Sequence, residues 1–219
     1  MLTKTTFKFL SDLSKNNNKD WFDKNKQRYI DAQNEIKSFL ADWIATFGKK
    51  DTSIAHLEPK KCVFRIHRDI RFSKDKSPYK TNLGAYITKG GKNLNLAGYY
   101  LHIQPGACFF AAGNYMPMPE QLAKIRQEID YNFVDFKKII QAKKFNTNFG
   151  DLSTENKLIR PPKGYDESNE AIEYLKLKGF TIYKNLSDEE ITSKDFVKNI
   201  TDLCVTAMPF IDFLNNAVD

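Results

Sequence analysis

The stretch that decides the fold is GYYLHIQPGACFFAA, residues 98–112. Its two halves are rich in aromatic and aliphatic residues, which favour β-strands, and the Pro105-Gly106 pair between them is typical of a tight turn. The stretch therefore predicts two antiparallel strands, near 98–104 and 107–112, joined by that turn.

Two further strands are predicted before this hairpin. From Lys61 to Phe72 apolar and polar residues alternate, which is the pattern of a strand with one buried face. The apolar face holds Cys62, Phe64, Ile66, Ile70 and Phe72, and the other face holds Val63, Arg65, His67, Asp69 and Arg71. Leu83–Thr88 is the second strand, so together with residues 98–112 the pattern indicates an antiparallel meander of about four strands.

Helical periodicity dominates the rest of the chain. One apolar stripe predicts a long helix from about Lys19 to Phe47, preceded by an asparagine-rich stretch that offers an N-cap. A short strand is predicted at Phe180–Tyr183, and a last helix begins near Ser193 and is kinked or ended by Pro209. The sequence thus predicts a single α+β domain over residues 1–219, with a mainly antiparallel sheet of about four to six strands packed against several helices.

The composition is that of an ordinary globular protein. Hydrophobic residues make up 41% of the 219 residues, which suffices for a sizeable core. No run of about eighteen apolar residues occurs, so no membrane span and no membrane partner are expected. The N-terminal stretch lacks a secretory signal, and three cysteines without a CxxC pair predict buried thiols, so a cytoplasmic location is expected.

The positive charge is concentrated in residues 60–80, here called the basic segment. It carries eight basic and two acidic residues, which gives it a net charge of +6 out of the +7 of the whole chain. The basic residues are Lys60, Lys61, Arg65, Arg68, Arg71, Lys74, Lys76 and Lys80, and the acidic ones are Asp69 and Asp75. Such clustering attracts phosphates, nucleic acids or other anions.

Arg65, Asp69 and Arg71 share one face of the predicted strand. This face is either merely solvated or open to two further interpretations. In the first, Asp69 relieves the repulsion between the arginines as part of an internal ion network. In the second, the arginines bind phosphate or carboxylate oxygens and Asp69 orients one of them. Arg68 lies on the otherwise apolar face, so either a carboxylate from a packing helix meets it or a bulge moves it to the polar side.

The loop that follows extends the predicted anion site. Lys76 and Lys80 add positive charge, and Tyr79 either contacts the ligand or anchors the loop as a half-buried aromatic residue. The residues proposed to line a pocket beside it are Trp21, His67, Tyr100 and His102. Trp21 alternatively caps the core, and His102 alternatively is a hydrogen-bonded residue of the sheet.

Several common kinds of site are not predicted. The histidines have no carboxylate or second histidine at metal-ligand spacing, so no metal site is expected. The chain has no Walker loop, dinucleotide fingerprint or GxSxG elbow, so no cofactor is expected and no catalytic residue is identified.

Landmarks along the chain, in order, resemble a known family. They are Trp21-Phe22, Asn25-Lys26 and Tyr29; RIHRDIRFSKDKSPYK, residues 65–80; GYYLHI, residues 98–103; Gly113-Asn114-Tyr115; and PPKGY, residues 161–165. They resemble domain-of-unknown-function family 2461 over nearly the whole chain, and the run from 65 to 80 is long enough to be specific. The resemblance implies a soluble single-domain protein without an assigned activity, so it transfers no catalytic residue.

The sequence leaves three functions open. The leading one is a pocket for an anion, a phosphate or a carboxylate, built on the Arg65–Lys80 strand and loop, in a protein that binds a small anionic ligand or in an enzyme that acts on one. The second is a nucleic-acid-binding module in which Phe72 and Tyr79 stack on bases. The third is a protein-interaction domain that docks an acidic partner through the same basic residues.

Overall fold

The computed structural model describes residues 2–89, 91 and 96–218. In this part of the chain ten α-helices accompany one four-stranded antiparallel sheet, which confirms the predicted α+β class. The helices are α1 Lys4–Lys15, α2 Lys19–Lys24, α3 Lys26–Phe47, α4 Pro59–Cys62, α5 Pro119–Tyr131, α6 Phe133–Gln141, α7 Lys143–Phe149, α8 Ile172–Leu175, α9 Asp188–Thr192 and α10 Phe196–Val218. The strands are β1 Leu83–Ile87, β2 Gly98–Ile103, β3 Cys108–Asn114 and β4 Phe180–Leu186. No helix in the described ranges is both long and apolar enough to cross a membrane.

The sheet has the order β1-β2-β3-β4, so each strand pairs with its neighbour in sequence. Strands β1, β2 and β3 lie where the sequence predicts them, and the turn between β2 and β3 contains Gly106 with a φ of 72°. That backbone conformation is open to glycine at little cost, which explains the Pro-Gly pair. The fourth strand is the segment predicted at Phe180–Tyr183, and it extends to Leu186.

The long N-terminal helix is present but interrupted. Asn25 has φ −109° and ψ 15°, and it separates α2 from α3. Its side-chain Nδ2 donates to the carbonyl of Trp21 at 2.9 Å, a local hydrogen bond that competes with the helical pattern. Asn18 caps α2 by accepting from the backbone N–H of Trp21, as the asparagine-rich stretch predicts.

The described chain divides into two compact units. Unit 1 comprises residues 1–87, 100–110 and 185–201. Its core includes Trp43 of α3, which is fully buried, and the ring of Phe39, which stacks on that of Phe196 with centres 5.3 Å apart. The N-terminus of α1 is tied to α3 through Glu35, whose carboxylate accepts from both the N–H and the hydroxyl of Thr3.

Unit 2 comprises residues 88–99, 111–184 and 202–219. Its core is aromatic, with the ring of Phe136 packed against that of Tyr174 at 5.2 Å and that of Phe210 at 6.4 Å. Helix α10 does not end at Pro209 but continues to Val218, so the prediction of an end there is wrong. Burial of Phe210, Ile211 and Leu214 beyond the proline offsets the backbone hydrogen bond that proline removes.

Candidate functional site

The basic segment is not a continuous strand. Its first residues belong to helix α4, and beyond them only isolated bridges pair the chain, such as that between His67 and Tyr79. The prediction of a strand from Lys61 to Phe72 is therefore wrong. Pro78 gives the physical reason: it has no N–H to donate, so regular pairing cannot extend past the bridge.

Two arms of the chain, residues 63–68 and 77–82, run antiparallel and form what is called here the base. The backbone N–H of Lys80 donates to the carbonyl of Ile66 at 2.7 Å, and that of Arg68 donates to the carbonyl of Pro78 at 2.9 Å. Residues 69–76 connect the arms and are called the tip. The segment is thus a loop with a hydrogen-bonded base and an exposed end.

Arg68 holds the base and the tip together. Its guanidinium forms an ion pair with Asp75, donates to the carbonyl of Ser77 at 3.1 Å and donates to the hydroxyl of Ser73 at 3.3 Å. The carboxylate that meets Arg68 therefore comes from the same loop, so both expected solutions, a helix carboxylate and a strand bulge, are wrong. Side-chain and backbone hydrogen bonds from Ser77, followed by the contact with Arg68, lower the pKa of Asp75 from 3.8 to about 2.

Asp69 and Arg71 form an exposed pair at the tip. Arg71 Nε and Nη2 donate to the two carboxylate oxygens of Asp69 at 3.0 and 2.7 Å. This bidentate bond, more than the distant charge of Arg65, lowers the pKa of Asp69. Asp69 thus pairs with Arg71 and does not bridge the two arginines, while Arg65 is exposed and makes no hydrogen bond or ion pair to the rest of the described chain.

Tyr79 anchors the base in the core of unit 1. It is 5% exposed, and its ring stacks on that of Phe22 with centres 3.9 Å apart and planes 13° from parallel. The side chain of Asn17 accepts from the Tyr79 N–H at 3.1 Å and donates to its carbonyl at 2.8 Å. Tyr79 therefore fits the alternative of an anchoring aromatic residue, although it also borders a cavity.

That cavity has a volume of about 360 Å³ and lies between the base and the N-terminal helices. Its lining residues are mostly polar: Ser14, Asn17, Arg68, Asp75, Ser77, Tyr79, Lys80, Thr81 and Asn82. Arg68, Tyr79 and Lys80 are the three residues of the predicted anion site that the structure brings together here. The ammonium of Lys80 also lies 5.4 Å from the centre of the Phe64 ring.

The other predicted anion ligands lie away from the cavity lining. Asp69 and Arg71 pair with each other at the tip, and Arg65 is exposed. The ammonium of Lys76 donates a hydrogen bond to the carbonyl of Ile70 at 3.0 Å, which is a contact within the tip. The predicted set is therefore divided among the cavity, the tip and the exposed Arg65 of the base.

Trp21 and His67, two of the predicted pocket-lining residues, do not line this cavity either. The ring of Trp21 stacks on that of Phe9 with centres 6.2 Å apart. The guanidinium of Arg28 lies 5.9 Å from the centre of the Trp21 ring. This placement matches the alternative in which Trp21 caps the core. His67 is exposed, and its ring centre lies 5.3 Å from that of Tyr79.

Tyr100 and His102 form a hydrogen-bonded row along strand β2. The Tyr100 hydroxyl lies 2.9 Å from His102 Nδ1, and His102 Nε2 lies 3.2 Å from Gln104 Oε1. The imidazole stacks on the ring of Phe109 with centres 4.6 Å apart. Burial lowers the pKa of His102 and raises that of Tyr100 to about 12. The row reaches the cavity through Asn82, whose Nδ2 is 3.4 Å from His102 Nδ1.

Comparison with known families identifies the chain over almost its full length. Residues 5–213 match the family described as conserved hypothetical protein (DUF2461). The chain belongs to this family. No curated protein and no solved structure matches the chain. The match confirms the resemblance seen in the sequence, and the description of the DUF2461 family assigns it no activity.

The sequence did not point to the uncharged lining residues of this DUF2461 chain other than Tyr79. Asn17 was expected only as part of a helix-capping stretch, and Thr81 and Asn82 carry no motif. Their side chains meet at the cavity because the base folds back against the N-terminal helices. No local signal in the sequence points to them, since the relevant neighbours lie about sixty residues apart, as with Asn17 and Tyr79. Among the described residues, no three His, Cys, Asp or Glu side chains are grouped to hold a metal ion.

Proposed function

We propose that this chain binds a small anion, a phosphate or a carboxylate, in the cavity beside Arg68 and Lys80. The observation that carries the proposal is the lining, in which two cations stand among hydroxyl and amide side chains, and Asp75, the carboxylate among the described lining residues, is paired with Arg68. Convergent donors that include two cations suit a ligand that carries an oxyanion. The chain would then be either a protein that binds the anion or an enzyme that acts on it.

Arg68 gives the strongest support because its guanidinium is fixed before a ligand arrives. Its bonds to Asp75, Ser77 and Ser73 use three of the five N–H groups of a guanidinium. The other two have no partner in the described chain, and the side chain remains 24% exposed. A guanidinium already held in place loses little conformational entropy when it binds an oxyanion.

Asp75 opposes an incoming anion less than an isolated carboxylate would. Its Oδ1 accepts from the N–H and the hydroxyl of Ser77 at 2.9 and 2.7 Å, while Oδ2 accepts from Arg68. With a pKa of about 2 it is ionised at neutral pH, so its charge and that of Arg68 cancel. Lys80 is the second cation of the lining.

An NMR titration of the isotope-labelled chain with inorganic phosphate and with acetate tests the proposal. We expect saturable shifts in the backbone amide signals of residue 77 and residues 79–82. The R68Q and K80Q variants should each weaken binding about tenfold or more, because each removes a charge-assisted hydrogen bond. The matched control is K74Q, which removes one charge from the same segment outside the cavity lining. An equal loss in K74Q would mean diffuse attraction and would sink the proposal.

A second function, the binding of single-stranded nucleic acid, is supported by the tip. Phe72 is 96% exposed, and the guanidinium of Arg71 lies 5.8 Å from the centre of its ring. Lys74 and Lys76 are exposed beside it. An exposed ring among cations suits stacking on a base while the cations meet phosphates.

Fluorescence anisotropy with a labelled oligonucleotide at low salt tests this second function. We expect binding that falls steeply as salt rises, and that weakens about fivefold or more in F72A through lost stacking. R68Q should weaken it less than F72A, because Arg68 lies at the base. If the wild-type chain fails to bind the oligonucleotide but binds an acidic protein through the same residues, the protein-interaction function replaces this one.

A further inference from the structure

Asn82 connects two features of unit 1 that are otherwise separate. Its side chain lines the cavity that contains Arg68 and Lys80. Its Nδ2 atom lies 3.4 Å from His102 Nδ1, in the row of polar residues along β2. The orientation of the Asn82 amide, and therefore the atom that it offers to a ligand, depends on the protonation of His102.

The hydrogen bonds around His102 define that protonation. An amide nitrogen can only donate, so His102 Nδ1 must be unprotonated to accept from Asn82. Gln104 Oε1 can only accept, so His102 Nε2, 3.2 Å away, carries the proton. The Tyr100 hydroxyl, 2.9 Å from Nδ1, is then a second donor to the same lone pair. All three contacts agree on a neutral imidazole with its proton on Nε2, and burial, which lowers its pKa, favours the neutral form.

Two packing contacts hold this arrangement in place. The His102 ring is stacked on Phe109, with planes 10° from parallel, which fixes the direction of both ring nitrogens. Gly84 of β1 leaves space for Tyr100, because a Cβ atom at that position would come within 2.8 Å of the Tyr100 hydroxyl oxygen. His102 is therefore a positioning residue, whose ring is held by its place on β2 and by stacking on Phe109.

With its nitrogen bound to His102, Asn82 has its carbonyl oxygen left for a ligand. That oxygen has no partner among the described residues, and it is a hydrogen-bond acceptor in a cavity whose cations are donors. A plain anion offers only acceptors and would meet the Asn82 oxygen without a hydrogen bond. We infer that the ligand is an anion that carries a nearby hydroxyl group, such as a hydroxy acid or a polyol phosphate, whose hydroxyl donates to Asn82. This inference rests on the proposed anion-binding function.

Matched pairs of small ligands test the inference by calorimetry on the full chain. The pairs are glycolate with acetate, and 2-hydroxyethyl phosphate with ethyl phosphate, which differ only in one hydroxyl group. We expect the hydroxylated member of each pair to bind about two- to tenfold more tightly, as one additional hydrogen bond allows. Equal affinities within both pairs would overturn the inference.

Variants assign the preference to Asn82 and His102. In N82L the ratio of affinities within each pair should approach one, because the acceptor is gone. H102F should have the same effect, because the Asn82 amide is no longer oriented. H102Q offers an oxygen in place of Nδ1 and should restore part of the preference. A preference that persists in N82L would contradict the inference.

Two outcomes separate this inference from the proposal on which it rests. If all four ligands bind and R68Q weakens all of them, but the hydroxyl has no effect, anion binding stands and the inference fails. If none of the four binds, both fail. Independently of any ligand, an NMR experiment that detects side-chain nitrogens should report the Nε2–H tautomer for His102, and an Nδ1–H tautomer would overturn the inference.

Discussion

The base and the tip of the basic segment each contain an aromatic residue beside cations, but the two aromatic rings differ in burial. Tyr79 at the base is 5% exposed and stacks on Phe22, whereas Phe72 at the tip is 96% exposed. Helix α2 covers the first ring, and no element in the described chain covers the second. The difference teaches that the base contributes to stability and forms most of the cavity wall, while the ring at the tip is a surface feature that contributes little to stability.

The largest expected effect comes from removing the aromatic ring at the base. Tyr79→Ala should lower the free energy of unfolding by about 3–5 kcal/mol, because it leaves a cavity against Phe22. Phe72→Ala, the matched change at the tip, should alter it by less than about 0.5 kcal/mol. Urea unfolding followed by circular dichroism measures both. Similar losses in the two variants would contradict the distinction between base and tip.

The next effect concerns the attachment of the base to the N-terminal helices. Asn17→Ala removes both hydrogen bonds to the Tyr79 backbone and leaves partly buried polar groups without partners. We expect a loss of about 1–3 kcal/mol in the free energy of unfolding. Asn17→Asp keeps the acceptor for the Tyr79 N–H and should fall between Asn17→Ala and the wild type. If Asn17→Ala unfolds at the same urea concentration as the wild type, the base is held without this contact.

The smallest effect is the pH dependence contributed by the pair that joins tip to base. Since the pKa of Asp75 falls from 3.8 to about 2 on folding, its contribution to stability is complete above about pH 4 and is lost as the pH falls toward 2. Asp75→Asn should therefore flatten the decline in stability over this window. The expected difference is small because the carboxylate is 61% exposed.

Urea midpoints at a series of pH values measure this difference. Asp202→Asn is the control, since Asp202 is exposed and has no ion pair in the described chain, and it should leave the profile as in the wild type. A flattening as large in Asp202→Asn as in Asp75→Asn would remove the role assigned to the Arg68–Asp75 pair.

The sequence predicted the sheet where local signals were strong. Strands β1, β2 and β3 combine β-favouring residues with a Pro-Gly turn, and both signals act within a few residues. The strand predicted over residues 61–72 was wrong, although apolar and polar residues alternate there as well. Its pairing depends on the opposite arm of the loop and ends where Pro78 lacks an N–H. The predicted end of the last helix at Pro209 was wrong for a similar reason, since buried contacts beyond the proline outweigh the local signal.

The candidate site was predicted by charge and only partly by position. Clustered cations are recognisable in a sequence, so it predicts Arg68 and Lys80 as residues of the anion site. The division of the cations between cavity and tip was not visible, because it depends on which carboxylate each arginine meets. Arg68 meets Asp75 and Arg71 meets Asp69, and both choices are made by the path of the loop.

The sequence by itself determined the α+β class, three strands with their turn, the family, and the location of the charge, because these follow from composition and from patterns within short windows. Only the tertiary structure decided that Tyr79 is buried and Phe72 exposed, and that Asn17, Arg68 and Asn82 line one cavity. Contacts between residues far apart in sequence form only when the backbone has folded. The sequence of one segment therefore does not reveal which distant segment it will contact.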